Sequence, residues 1–253
     1  MNDAGIRHAA RLIRNSRYAV ALTGAGLSTP SGIPDFRSPT SGLWQNVNAF
    51  EVASLFGFKR HPEAFFNWIK PLAQTVLAAA PNPAHIALAQ LERAGYLKSI
   101  VTQNIDMLHG KAGSQTVYEV HGHFRQATCI ECFAEYDAEP FIAAFLNGGD
   151  IPRCTACGGV LKPDVILFGE QLPARELVAS QQAARRCDLM LIAGSSLLVA
   201  PAGDLPLVAR QHGARLIVVN YEKTHVDDVA EVVIHENVAQ VLPQIAATVM
   251  EDG

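Results

Sequence analysis

Thr23-Gly24-Ala25-Gly26-Leu27-Ser28-Thr29-Pro30-Ser31-Gly32-Ile33-Pro34-Asp35-Phe36-Arg37-Ser38 is the stretch from which the fold can be read. It follows a short apolar run at 18–23, which has the length and composition of a strand. A strand running straight into Gly-x-Gly resembles the start of a dinucleotide-binding turn, where glycines permit a tight bend and a close approach to phosphate. The fingerprint is incomplete. Thr29 holds the third glycine position, and no acidic residue ends a strand about 20 positions later. Two prolines and a glycine then keep the segment from becoming the long helix of an ordinary Rossmann unit. A loop presenting Phe36 and Arg37 is expected instead. Taken alone, a plain tight turn would explain these glycines nearly as well.

Outward from the turn, the chain alternates between strands and helices. Apolar runs at 99–102, 188–193 and 215–220 read as further strands. An N-terminal helix has Ile6, Ala9, Ala10 and Ile13 on one face behind Asp3, which can cap it. A second helix opens on Asn82 and Pro83 and stops at Gly95. Segments 174–186, 202–212 and 238–250 are helical as well. Apolar strands separated by helices imply a parallel sheet covered on both faces. The expected fold is α/β: a Rossmann-like doubly wound parallel sheet with a smaller inserted domain, a single catalytic unit over 1–253. The large domain would take about 1–40, 84–121 and 163–253. The small domain would join a helical module at about 41–83, rich in aromatics, to a ribbon at about 122–162.

Four cysteines define that ribbon. Cys129 and Cys132 form one CxxC pair, Cys154 and Cys157 another, with 21 residues between the pairs. Each pair offers two thiolates from one knuckle, and two knuckles complete a tetrahedron around Zn²⁺. The separation slightly exceeds the usual range of about 15–20, which a helix at 138–146 would accommodate. Gly158-Gly159 suits a knuckle needing positive φ. Four protein ligands leave no open position on the metal, so its role is structural.

Bulk composition narrows the class. The chain has 253 residues, 49% hydrophobic and 17% charged, with a net charge of −4. That balance suits a globular enzyme and speaks against nonspecific nucleic-acid binding, which needs a basic field. Around the knuckles, Glu131, Glu135, Asp137, Glu139 and Asp150 outnumber Arg125, Arg153 and Lys162, so phosphate would be repelled. Metal-type cysteine spacing suggests a reducing, cytoplasmic setting. The fifth cysteine, Cys187, precedes an apolar run and is expected to be a buried thiol. No apolar stretch is long enough to span a bilayer.

Taken together, the motifs GAGLSTPSGIPDFRS (24–38), TQNIDMLH (102–109), EVHG (119–122), both CxxC pairs, KPDVILFGE (162–170), GSSLLVAP (194–201) and IVVN (217–220) resemble the sirtuins, the NAD-dependent protein deacylases. The resemblance runs essentially the whole length. It implies an enzyme that removes an acetyl or other acyl group from lysine, transfers it to ADP-ribose and releases nicotinamide and O-acetyl-ADP-ribose. It also implies NAD as co-substrate, one structural zinc and acylated lysine proteins or peptides as partners. By the same resemblance, Ala25 and Thr29 touch the diphosphate, Arg37 lies near the phosphates, and Phe36 covers the ribose. Ile105 and Asp106 hold the nicotinamide carboxamide, while Gln103 and Asn104 bind ribose hydroxyls, Asn104 also positioning water. Gly194, Ser195, Ser196 and Asn220 meet the adenosine half, with Val238 beside the adenine. His121 is the general base, since it alone stands in EVHG; an imidazole ordinarily titrates at about 6.5, which suits transfer near neutrality. His123 is its near neighbour, and His109 matches a structural position.

For the substrate, Phe168-Gly169-Glu170 and Leu198-Val199 resemble two edges between which an extended peptide adds as a strand. Val165 and Ile166 would line a tunnel for the lysine stem, although sheet core explains those aliphatics equally well. The desuccinylating branch carries a tyrosine and an arginine three apart; the matching positions here hold Phe66 and Ile69. A carboxylate would meet an apolar wall, at a cost of several kcal/mol, so neutral acyl groups are expected. Met107 replaces the arginine common after the NID motif. Two other readings remain: mono-ADP-ribosyl transfer from the same cofactor, and a non-catalytic NAD-sensing interaction module.

Overall fold

The computed structural model describes residues 3–35 and 48–251, so Phe36 and Arg37 lie outside the described residues. Helix α1 (Asp3–Asn15) leads into strand β1 (Ala19–Thr23). Helices α2 (Ala49–Val52), α3 (Leu55–Arg60) and α4 (Pro62–Ala78) follow, then α5 (Pro83–Arg93) and β2 (Leu97–Thr102). Next come α6 (Leu108–Lys111) and β3 (Val117–Glu119), then β4 (Gly122–Cys129), β5 (Glu135–Asp137), α7 (Glu139–Leu146) and β6 (Leu161–Val165). The chain finishes through α8 (Ala174–Arg186), β7 (Leu189–Ala193), α9 (Leu205–Gln211), β8 (Arg215–Val219), β9 (Val232–Ile234) and α10 (Val238–Glu251).

Six strands form one parallel sheet in the order β3-β2-β1-β7-β8-β9. The order reverses between β1 and β7, the topological switch at which open sheets bind ligands. Period-two alternation explains why β1 is buried along its whole length. Ala19 and Ala21 join the α1, α5 and α10 side chains on one face; Val20 and Leu22 join those of α8 and α9 on the other. Asn82 caps α5 as its sequence suggests: its Oδ1 accepts from the Ala84 N–H at 2.9 Å, worth about 1 kcal/mol. Its own N–H donates to His85 Nδ1 at 3.3 Å.

A second, antiparallel sheet runs β5-β4-β6. Helix α7 sits where the long cysteine separation called for one. A third apolar cluster joins this sheet to α4, with Phe65, Phe66, Ile69 and Leu72 against Phe124, Phe145 and Leu161. The helical module and the ribbon therefore share one core. Strands β3 and β9 were not legible in the sequence, because three residues carry too little periodicity. Segment 202–212 opens as a 3₁₀ turn, Ala202–Asp204, before α9 begins. Among the described residues, no helix is long and apolar enough to cross a membrane.

Candidate active site

The glycine-rich turn and the end of β7 interlock at the switch point. Gly26 N–H donates to the Gly194 carbonyl at 2.8 Å. A Cβ on Gly24 would stand 2.8 Å from the Ser195 Cβ, and one on Gly194 would stand 2.2 Å from the Leu27 nitrogen. Gly194 also has φ +61, a region disfavoured for other residues. These contacts explain why glycine is needed at both ends of the approach.

Gln103 connects this junction to the histidine. Its N–H donates to the Thr23 carbonyl at 3.0 Å, and its Nε2 donates to Ser195 Oγ at 2.9 Å. Its carbonyl lies 3.0 Å from His121 Nδ1. A carbonyl only accepts, so Nδ1 carries the hydrogen and Nε2 is the basic nitrogen of the neutral ring. Asn104 commits both amide hydrogens, to the Gly24 carbonyl and to Ser28 Oγ, each at 3.0 Å. Its Oδ1 is then the acceptor it offers to a hydroxyl.

Asp106 is placed differently from Gln103, Asn104 and Ile105. It lies beneath the cleft floor, where its carboxylate accepts from Ser28 Oγ at 2.5 Å and from the Leu108 N–H at 2.9 Å. Two buried histidines back this layer, with rings edge-on and centroids 5.0 Å apart. Burial pushes His85 down to about 4, partly opposed by the Asp106 carboxylate. It pushes His109 down to about 3, with His85 adding to the effect. His109 Nε2 lies 2.9 Å from Thr23 Oγ1. Met107 takes φ +63 and packs partly buried against the ribbon-side core.

A cleft of about 750 Å³ runs along these elements. It brings together Ala25, Thr29, Gln103, Asn104, Ile105 and His121 with Gly194, Ser195, Ser196, Asn220 and Val238. Val165, Ile166, Phe168, Gly169, Glu170 and Val199 line it too, while Leu198 stands exposed away from the lining. Phe168 uses its N–H and carbonyl to join Ala53 and Leu55, at 2.8 and 3.0 Å. Helix α4 supplies an apolar wall of Phe65, Trp68, Ile69 and Leu72. Of the pair singled out in sequence, Ile69 lines the cleft. Phe66 turns away to meet Phe58 and Phe145. The spacing 65, 68, 69, 72 is one helical face, a signal present in the sequence itself. A dinucleotide fits the cleft's position at the switch point, the close-packed glycine turn and the acceptor left on Asn104.

The four cysteine sulfurs lie within 4.8 Å of one another. Cys129 and Cys157 are 3.5 Å apart, and Cys132 and Cys154 3.6 Å. Zinc with Zn–S bonds of about 2.3 Å sets tetrahedral sulfurs about 3.8 Å apart, so the quartet fits one structural ion. The Tyr136 hydroxyl, 3.1 Å from Cys154 Sγ, lowers that thiol to about 6 and so favours the ligating thiolate. Gly158 has φ +77 as the knuckle requires, and Phe133 supplies the positive φ, +61, after the first pair. Cys187 is buried, and burial pushes its thiol up to about 12.

The Sir2 family model matches residues 24–201. The chain is 46% identical over 245 residues to an "NAD-dependent protein deacylase 2" of Archaeoglobus fulgidus, covering 96% of each. A solved Sir2 enzyme superposes with TM-score 0.93 at 44% identity, covering 99% of this chain and 100% of the other. A Sir2 histidine-to-alanine variant, solved with a deacetylated p53 peptide and 3′-O-acetyl-ADP-ribose, superposes with TM-score 0.89 at 38% identity over 98% of each chain. The match spans the switch-point cleft, His121 and both cysteine pairs, and the chain belongs to the Sir2 family.

Proposed function

We propose that the chain is an NAD-dependent protein lysine deacetylase, or more broadly deacylase, that transfers the acyl group of acyl-lysine to ADP-ribose. The observation that carries this reading is the juxtaposition, in one cleft, of the glycine-turn junction, the Gln103-Asn104-Ile105 loop and His121 with its basic Nε2. Relatives with those names, and the family structure holding both a deacetylated peptide and the acetylated sugar, support it. NAD supplies the electrophilic ribose carbon and a leaving group that is already cationic. The protein need not act as a strong acid; it must position groups and exclude water.

Ala25, Thr29, Gly194, Ser195 and Ser196 hold the diphosphate and adenosine side, with Asn220 and Val238 at the far end. Asn104 Oδ1 accepts from a ribose hydroxyl. Ile105 and Asp106 hold the carboxamide, Asp106 by setting the loop from below. Phe36 and Arg37, outside the described residues, would by the family resemblance meet the ribose and the phosphates. Gly169, Glu170 and Val199 flank the peptide, and Val165 and Ile166 border its lysine stem. His121 Nε2 takes the proton from a ribose hydroxyl as the acyl group moves, and the Gln103 carbonyl holds the ring in the required tautomer. The smaller domain takes the helical module, described from residue 48 to about 83, and the ribbon at about 122–162. A cytoplasmic location follows from the cysteine usage.

The test is direct. With an acetyl-lysine peptide and NAD, nicotinamide release and loss of the acetyl mass should proceed one for one, and neither should occur when NAD or the peptide is left out. Nicotinamide release at the same rate without peptide would contradict the reading.

A further inference from the structure

Lys162 is only 9% exposed, and its ammonium is held among three oxygens. It donates to the Pro163 and Val165 carbonyls, each at 3.0 Å, and forms an ion pair with Glu170 Oε2 at 3.2 Å. That same carboxylate oxygen accepts the Leu167 N–H at 2.8 Å. One mostly buried ion pair therefore closes a loop across 163–170, whose residues 165–170 line the cleft.

The loop is tied to the histidine as well. Ile166 N–H donates to the His121 carbonyl at 2.9 Å. The next residue, Gly122, approaches β6 so closely that a Cβ would lie 1.9 Å from the Asp164 carbonyl oxygen. Glu170 borders both the cleft and a separate hollow of about 610 Å³, whereas Lys162 borders only the hollow. The ammonium therefore works from behind the substrate edge.

Stability alone is a poor reason for this pair, because well-packed apolar residues usually serve a buried site at least as well. What a charge held by two carbonyls and one carboxylate adds is one geometry for an irregular turn. We propose that Lys162 is a positioning residue for the acyl-peptide: it fixes 163–170 so that the Gly169-Glu170 edge and His121 stay in register. The proposal rests on the deacylase reading for its kinetic consequence.

The experiment compares wild type with Lys162→Met, Lys162→Arg, Glu170→Gln and the Lys162→Met/Glu170→Gln pair. Lys162→Met should raise KM for an acetyl-lysine peptide by about tenfold or more, the scale of one lost charged hydrogen bond, with KM for NAD within about twofold. Amide exchange at 165–170 should quicken in the same variant. Lys162→Arg should recover part of both effects, and the double variant should cost less than the sum of the singles. If Lys162→Met does not fold, Glu170→Gln gives the same two readouts. Unchanged exchange at 165–170 overturns the proposal, as does a variant that only lowers Tm and kcat with peptide KM intact. Wild type inactive on acetyl-peptide would refute the deacylase reading instead, while the exchange measurement still decides what Lys162 holds.

Discussion

Gln103 joins three parts of the cleft through three groups: its N–H to β1, its amide to Ser195 and its carbonyl to His121. The last of these makes His121 distinct from His123, two positions away. A fixed Nδ1–H leaves Nε2 basic, which a general base requires. His121→Ala should therefore lower acyl transfer by about 10²–10⁴-fold while leaving the melting temperature near wild type. Initial-rate measurements with acetyl-peptide check this, and transfer continuing unchanged would remove His121 from the mechanism. At this scale the sequence was informative where motif context picks one residue from several, as EVHG did. It was silent on direction: nothing in the motif shows that Asp106 faces Ser28 and Leu108 below the floor.

At the scale of elements, the ribbon and α4 form one unit, because their apolar faces meet in a common cluster. The ribbon was legible because cysteine chemistry fixes spacing. Strands β3 and β9 were not, because their burial is set by neighbours distant in sequence. A thiol titration tests the ribbon. With zinc bound, no cysteine should react quickly; after chelation four should, and Cys187, raised to about 12 by burial, should react only on denaturation. Four thiols reactive without chelation would contradict a closed site.

The wall on α4 carries a prediction about acyl preference. Phe65, Trp68, Ile69 and Leu72 offer no cation to a carboxylate, and stranding that charge costs several kcal/mol. An acetyl-peptide should exceed its succinyl twin in kcat/KM by about 100-fold or more. Equal efficiencies would mean that a cation reaches the acyl site. Of the two positions matched in sequence, Ile69 lines the cleft while Phe66 points into the core; which face a helix residue occupies depends on packing.

At the scale of the whole molecule, helices α5 and α6 bring together two histidines kept neutral by burial, His85 at about 4 and His109 at about 3. In the unfolded chain they titrate at about 6.5. The unfolded state then binds protons that the fold refuses, so their contribution is complete above about pH 6.5 and is lost as pH falls towards 4. Denaturant titrations from pH 7.5 to 4.5 should show stability falling below about pH 6.5, by up to about 1.4 kcal/mol per unit for each histidine. A flat profile between pH 6.5 and 5 would contradict this burial. The alternation of strands and helices made the parallel sheet readable in advance, whereas the meeting of the α4 wall, the 163–170 edge and His121 in one cleft depends on contacts that no local pattern records.

In the proposed reaction the acyl carbonyl oxygen of lysine attacks the ribose carbon as nicotinamide leaves, so that oxygen ends on the sugar. An acetyl-lysine peptide labelled with oxygen-18 in its acetyl carbonyl, reacted with NAD in unlabelled water, tests it most directly. Label should appear in the ADP-ribose portion of the product. Label remaining wholly in the acetyl group, with an unlabelled sugar, would contradict it.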